Sequence, residues 1–261
     1  MPPPIGRRQH TGQVPSLLEL QDTLYDSSNP TRRWLHRRRR ACIEAELRRQ
    51  SGPEVAQALE VGPGCAVYLP TLASLVAEVV ATDIQPEFLE RARVELSSLR
   101  NLSFVVDDIC DSRLSAGAFD LVLCSEVIEH IADSAAALRS IGRLLRPGGV
   151  LVLSTPQPWS TVELAARIAL RPGVIRLVRR IYKEPILEMG HINLLSPRQL
   201  ERQLRAAGLT IESFHTTGLY VPVLAELGGE RARRLASWLE PRLRRSPLRP
   251  LLWTQHVVAR R

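Results

Sequence analysis

A glutamate stands directly before a glycine-rich turn in Glu60-Val61-Gly62-Pro63-Gly64-Cys65-Ala66. The segment closes an apolar run, and glycines at a strand-to-helix turn let the backbone approach a ligand closely. A dinucleotide fingerprint would place a third glycine at position 67, against the pyrophosphate, where this chain has Val67. Glu60 would repel a pyrophosphate and suits a cationic ligand instead. About twenty residues on, Val79-Val80-Ala81-Thr82-Asp83 is an apolar strand ending in a carboxylate. A carboxylate there can accept both hydroxyl hydrogens of a nucleoside ribose. In Phe104-Val105-Val106-Asp107-Asp108-Ile109 a third carboxylate can accept the exocyclic amine of the base. Asp107 and Asp108 point oppositely in a strand, and Asp108 is preferred, with Ile109 packing on the ring. Further along, Glu126-Val127-Ile128-Glu129-His130 gathers two carboxylates and an imidazole within five residues.

These groups need elements to hold them. From position 53 onward strand-like and helix-like segments alternate, which implies parallel strands joined by crossover helices in an α/β fold. The strands fall at Ala56–Val61, Glu78–Asp83, Leu102–Val106, Phe119–Ser125 and Val150–Ser154, with two late ones at Thr210–His215 and Leu252–Ala259. Helices fall at Tyr68–Leu75, Pro86–Leu99 and Ala132–Leu145, the last with Leu138, Ile141 and Leu145 on one face. Arg146-Pro147-Gly148-Gly149 reads as a helix stop and turn. Ser196-Pro197-Arg198-Gln199 opens a further helix that runs to Gly208, with a Ser cap, Pro at the first position and Gln three residues after the cap. Ahead of this domain, residues 1–30 read as an irregular arm. Residues 31–52 read as a basic helix capped by Thr31, carrying Arg32, Arg33 and Arg37 to Arg40 and stopped by Ser51-Gly52-Pro53.

Composition sets the outer limits. The chain has 261 residues, 44% hydrophobic and 24% charged, which describes a globular protein able to bury a sizeable core. No apolar run is long enough to span a bilayer, and the start of the chain has no apolar core of a signal peptide, so a cytoplasmic location is expected. Cys42, Cys65, Cys110 and Cys124 show no metal-ligand spacing and read as reduced thiols. The net charge of +8, mostly arginine, is compatible with anionic partners but selects none.

The sequence resembles the class I S-adenosylmethionine (SAM) dependent methyltransferases of the small-molecule type. The likeness covers about Val55 to Gly208. It is carried by Glu60 to Gly64, Asp83, Asp108, Phe119-Asp120-Leu121-Val122-Leu123-Cys124-Ser125 and Leu144-Leu145-Arg146-Pro147-Gly148-Gly149. It implies a Rossmann-like sheet of seven strands in order 3-2-1-4-5-7-6, the seventh antiparallel, within a domain spanning 53–261. It implies SAM as cofactor, with Glu60, Gly62 and Gly64 framing the methionyl end, Asp83 the ribose and Asp108 the adenine. Ile84, Ile109 and Ser125 complete the cofactor set. Ala66 departs from the pattern, since many relatives have another glycine there.

After the fourth strand, which faces the transferred methyl in this fold, Glu126 to His130 looks like the segment of ubiquinone-type O-methyltransferases. It also looks like that of small-RNA 2'-O-methyltransferases, where the two glutamates and the histidine bind a divalent metal. Two chemistries are open. His130 acts as general base for an acceptor hydroxyl, with no metal; alternatively Glu126, Glu129, His130 and a distal His191 hold a cation that lowers the hydroxyl's pKa.

Residues 156–190 read as a lid over the acceptor pocket, with Trp159, Tyr182 and Tyr220 as candidate walls. Its second half opposes Val174, Leu177, Val178 and Ile181 to Arg176, Arg179, Arg180 and Lys183. That pattern suits a lid packed on the core, or peripheral association of 174–183 with an anionic membrane. The acceptor expected is a small molecule with a lipid-like, quinone-like or specialised-metabolite hydroxyl. An RNA methyltransferase and a non-catalytic SAM-binding protein are the competing readings; no appended RNA-binding module supports nucleic acid as a partner.

Overall fold

The computed structural model describes residues 24–169 and 190–261. Seven strands form one sheet in the order β3-β2-β1-β4-β5-β7-β6. They are β1 (Gln57–Val61), β2 (Glu78–Asp83), β3 (Leu102–Val106), β4 (Phe119–Ser125), β5 (Leu145–Pro156), β6 (Thr210–Thr217) and β7 (Thr254–Arg260). β1 pairs in parallel with β2 and β4, β2 with β3, and β4 with β5. β7 runs antiparallel to both β5 and β6, as expected.

Alternation along the strands sends side chains into two cores. On one face Leu59, Val61, Val122, Cys124, Leu151 and Leu153 pack with Leu138, Ile141 and Leu144 of α4 (Ser134–Leu144) and Leu200 and Leu204 of α6 (Pro197–Ala206). On the other, Ala58, Leu121, Leu123, Val150 and Val152 meet α1 (Pro30–Gln50), α2 (Leu69–Leu75) and α3 (Pro86–Glu95). Both faces of β1 and β4 are therefore covered, the condition that lets parallel strands read as continuous apolar runs. Asp120 ties these strands at their start. It accepts the backbone N–H groups of Ala56 (2.7 Å) and Gln57 (2.8 Å) and pairs with Arg146 Nε.

The structure moves several boundaries. α1 starts at Pro30, because Asn29 rather than Thr31 is the cap: its Oδ1 accepts the N–H groups of Thr31 and Arg32 at 2.9 and 3.0 Å. Pro30 at the first helical position costs no hydrogen bond there. Residues 24–26 are already helical, so the arm is not irregular to position 30. Arg146 to Gly149 is part of β5 rather than a separate turn, since Leu145 already pairs with Phe119 across a register shift. α3 ends four residues early, at Glu95.

Two helices were not read from the sequence. α5 (Thr161–Ala169) lies within the expected lid. α7 (Pro222–Arg244) joins β6 to β7 and is broken at Gly229, which has φ 48°. It packs beside α1, where Arg38 donates to the buried Glu240 at 2.7 Å. The amphipathic stretch 174–183 and Tyr182 lie outside the described residues. Among the described residues no helix is long and apolar enough to cross a membrane.

Candidate functional site

The carboxyl ends of β1, β2 and β4 converge beside the glycine turn, at the reversal of strand order between β1 and β4 where open sheets take ligands. Gly62 donates its N–H to Thr82 O at 2.8 Å, which pins the turn to β2. Its φ is +63°, and a Cβ there would lie 2.7 Å from Val127 Cγ2, so only glycine fits. Gly64 has φ 52° and Ala66 has φ 58°. Ala66 thus occupies the left-handed region that favours glycine.

Glu60 lies on the α1 face of β1, 2% exposed. Its Oε2 has no hydrogen-bond partner, and burial pushes its carboxyl up to about 8. A buried carboxyl with an unpaired oxygen beside a glycine turn is a site prepared for a cationic or donor group. Asp83 ends β2 and accepts the Gln85 N–H at 2.9 Å. Burial raises its carboxyl, and the Gln85 and Ile84 N–H groups partly offset that. Ile84 beside it is largely exposed, and Ile109 is buried.

The structure separates the two candidate adenine ligands. Asp107 Oδ1 accepts the Arg113 N–H at 2.9 Å and its Oδ2 is buried. Asp108 is exposed, capping a short 3-10 turn through Cys110 N–H. Asp108 thus keeps one exposed carboxylate oxygen unengaged, whereas Asp107 Oδ2 is buried without a partner. Ser125, at the end of β4, shares a hydrogen bond with Ser154 (3.0 Å).

Past β4, the four candidates of the acidic-histidine segment divide. Glu126, at φ 56°, turns away: its Oε2 accepts from Arg39 Nη1 at 2.7 Å and its Oε1 from the Ser154 hydroxyl at 2.9 Å. Glu126, one of the four expected metal ligands, is thus committed to an ion pair. Glu129, His130 and His191 do come together, with one ligand atom from each within 4.8 Å of the others. Glu129 is fully buried, with Thr155 donating to Oε2 at 3.0 Å. Burial, then the charge of Glu126, holds its carboxyl well above the usual range. His191 Nδ1 lies 3.1 Å from Glu163 Oε1. His130 Nδ1 donates to the Gly190 carbonyl at 3.1 Å, which leaves Nε2 as the acceptor nitrogen. Burial lowers the His130 pKa, so the ring is neutral near pH 7. Of the expected pocket walls, Trp159 is exposed and Tyr220 is buried against Leu35 and Trp253.

Arg39 was missed. It falls in the buried stripe Leu35, Arg39, Ile43 and Leu47 of α1, and the four-residue spacing places a guanidinium among core side chains. It also lies over the Trp253 ring at 5.2 Å. Arg39→Met should lower stability by about 2–3 kcal/mol, below the usual loss for a broken buried pair because Glu126 keeps some solvent and the Ser154 bond. Thermal denaturation measures it, and adding Glu126→Gln should recover most of the loss.

Comparison with known proteins places the chain. The methyltransferase domain family matches residues 34–213. A ubiquinone biosynthesis O-methyltransferase of Xanthomonas axonopodis pv. citri (strain 306) is 33% identical over 162 residues, which cover 61% of this chain and 65% of that relative. The chain thus matches just under two thirds of that relative's length. The SAM dependent methyltransferase of Mesorhizobium loti superposes with a TM-score of 0.54 at 19% identity, covering 84% of this chain and 98% of its own. The N-methyltransferase NodS of Bradyrhizobium japonicum WM9 gives 0.55 at 18%, covering 86% and 95%. Likeness at that identity establishes the fold, and the fold hosts more than one acceptor chemistry. Sheet order, glycine turn and family match agree: the chain belongs to the methyltransferase domain family, built on the Rossmann-like fold that takes SAM.

Proposed function

We propose that this protein transfers the methyl group of SAM to a hydroxyl of a small lipid-like or quinone-like acceptor, with His130 as general base. The observation that carries the cofactor half is Glu60, a buried carboxyl with an unpaired oxygen beside the Gly62 turn. It fits the α-ammonium of SAM. Gly62 and Gly64 admit the methionyl chain, Asp83 takes the ribose hydroxyls, Asp108 the adenine amine, and Ile84 and Ile109 flank the ring. Ser125 lies at the methionyl side. SAM supplies a methyl on a sulfonium, already a good leaving group, so the protein's task is alignment and removal of the acceptor proton.

The oxygen preference rests on His130, whose free Nε2 follows the strand that faces the methyl. The relative named as a ubiquinone biosynthesis O-methyltransferase supports a quinone-like ring as the acceptor. A metal at Glu129, His130 and His191 would have to draw His191 from Glu163, and Glu126 could join only by leaving Arg39, so the base reading is favoured. The presence of Glu60, Gly62, Gly64, Asp83 and Asp108 together, with Ala66 the one departure, argues against a non-catalytic scaffold.

Titration calorimetry with SAM in buffers of differing ionisation enthalpy tests the cofactor site. In the free protein Glu60 holds its proton at pH 7, since its pKa is about 8. An ammonium beside it favours the carboxylate. Binding should therefore release between about half and one proton at pH 7, and affinity should rise with pH toward about 8 and fall above it as the ligand's own α-ammonium loses its proton. The Glu60→Gln protein should release none. Wild-type proton release of zero would remove Glu60 from the site. Labelled-methyl transfer to a catechol-type quinol tests the acceptor class.

A further inference from the structure

We propose that the outer face of α7 is a docking surface for an anionic phospholipid bilayer. Large aliphatic and aromatic side chains are exposed there: Val223, Leu224, Leu227, Leu235 and Trp238, with Leu227 at 73% and Trp238 at 55%. Leu224, Leu227, Ala232 and Leu235, with Glu230 and Arg231, line an open hollow of about 650 Å³. Single exposed apolar residues are ordinary, but a contiguous set along one helix marks an interaction surface.

The charge around it identifies the occupant. From Val223 to Arg249 the sequence has seven arginines and three glutamates. Two of these acids are occupied: Glu230 pairs with Arg233 and Arg234, and Glu240 is buried against Arg38 and Arg244. Arg231, Arg234, Arg242 and Arg245 remain exposed on or beside the apolar side chains. Arg242 lies 3.8 Å over the Trp238 ring, so the cation and the indole reach the surface together. Aliphatic side chains rimmed by arginine, with an exposed tryptophan, match the boundary between lipid headgroups and acyl chains.

The kink at Gly229 gives the face its shape. Its non-helical backbone redirects the chain, so Leu224 and Leu227 from the first part and Leu235 from the second share one hollow. A nucleic acid would use the arginines but has no use for Leu227, Leu224 and Val223. The remaining stretches of the chain do not complement the charge either. Residues 170–189 have five basic and two acidic side chains, and residues 1–23 have two of each. The inference does not depend on which acceptor is methylated, since vesicle binding is read without SAM.

The test is co-sedimentation of the full chain with phosphatidylcholine vesicles with and without about one third phosphatidylglycerol. Arg234→Glu/Arg242→Glu and Leu227→Glu/Trp238→Glu are compared with the wild type. These side chains are exposed, so both variants should keep the wild-type melting temperature, which is measured alongside. Binding should require phosphatidylglycerol and weaken as salt rises. Each double variant should lower partitioning by at least about tenfold. Quenching by lipids brominated in the acyl chain should be reduced in Trp238→Phe. Equal binding to neutral vesicles, or none to anionic ones, would overturn the proposal. So would full retention in both α7 variants, with loss only on Val174→Glu/Leu177→Glu. RNA binding that equals vesicle binding and ignores Leu227→Glu would overturn it as well.

Discussion

Isothermal titration of the Asp83→Ala protein should give a SAM dissociation constant about 10²- to 10³-fold weaker than that of the wild type. Asp83 ends β2 directly beside the glycine turn, and one carboxylate oxygen is held by the Gln85 N–H. In the proposed complex the carboxylate accepts both ribose hydroxyls. Two charge-assisted hydrogen bonds are lost together, each worth roughly 1.5–3 kcal/mol when made to a charged group. The low end applies, because this side chain retains some solvent. The variant should fold, since the native structure loses only the local contacts of the Gln85 and Ile84 N–H groups. Asp108→Ala is the comparison. Its carboxylate is exposed and its expected partner is a single neutral amine, so affinity should fall only roughly twofold to tenfold. An Asp83→Ala protein that binds SAM like the wild type would show that this strand end does not hold the ribose.

The part of this site written in local sequence was legible, and the part created by long-range packing was not. β2, β3 and β4 have the boundaries that their apolar runs predict. β4, buried on both faces, leaves a continuous hydrophobic stretch, while β3 is an edge strand with Ser103 and Val106 exposed and is delimited by its β-branched and aromatic residues. Asp83 was visible as the polar residue that ends such a run. Arg39 was hidden by its neighbours: within four consecutive arginines nothing in composition marks the one that points inward. Its four-residue spacing from Leu35 and Ile43 was the available signal. Glu126 looked like one of two equivalent carboxylates. It became an ion-pair partner only because Arg39, 87 residues earlier, is packed against the sheet by α1.

α7 illustrates the opposite failure. A glycine pair, an internal proline and solvent-exposed leucines obscure any single helical stripe, and the helix forms by docking on α1. Its buried side, Ala232, Ala236 and Glu240, is built from small or charged residues that a hydrophobic pattern does not detect. Thr31 was read as the cap for a related reason. Both Asn29 and Thr31 can cap, and the Asn29-Pro30 pair decides between them, since proline favours the first helical position.

With an alcohol or phenol acceptor, His130→Ala should reduce kcat by about 10²- to 10⁴-fold, the usual contribution of a positioned general base. The SAM dissociation constant should stay unchanged, because the imidazole lies beyond β4 and away from the Asp83 end of the site. The Gly190 carbonyl fixes the Nδ1–H tautomer, so the wild-type ring presents Nε2 without reorganisation. Desolvation places its pKa below 6.5, with the Gly190 bond opposing the shift only in part. Sign follows from that direction. The neutral imidazole is the active form, so the wild-type rate should fall only as the pH drops through the lowered pKa, and it should be flat at neutral pH and above. That acidic limb should vanish in the variant. Burial, then the charge of Glu126, holds the Glu129 carboxyl well above the usual range, and its Oε1 lies 4.0 Å from Nε2. Chelation should leave the wild-type rate within about twofold, whereas activity restored only by added divalent cation would favour metal activation over base catalysis. A carboxylate acceptor needs no base, so an unaltered rate in His130→Ala would exclude the hydroxyl chemistry proposed here.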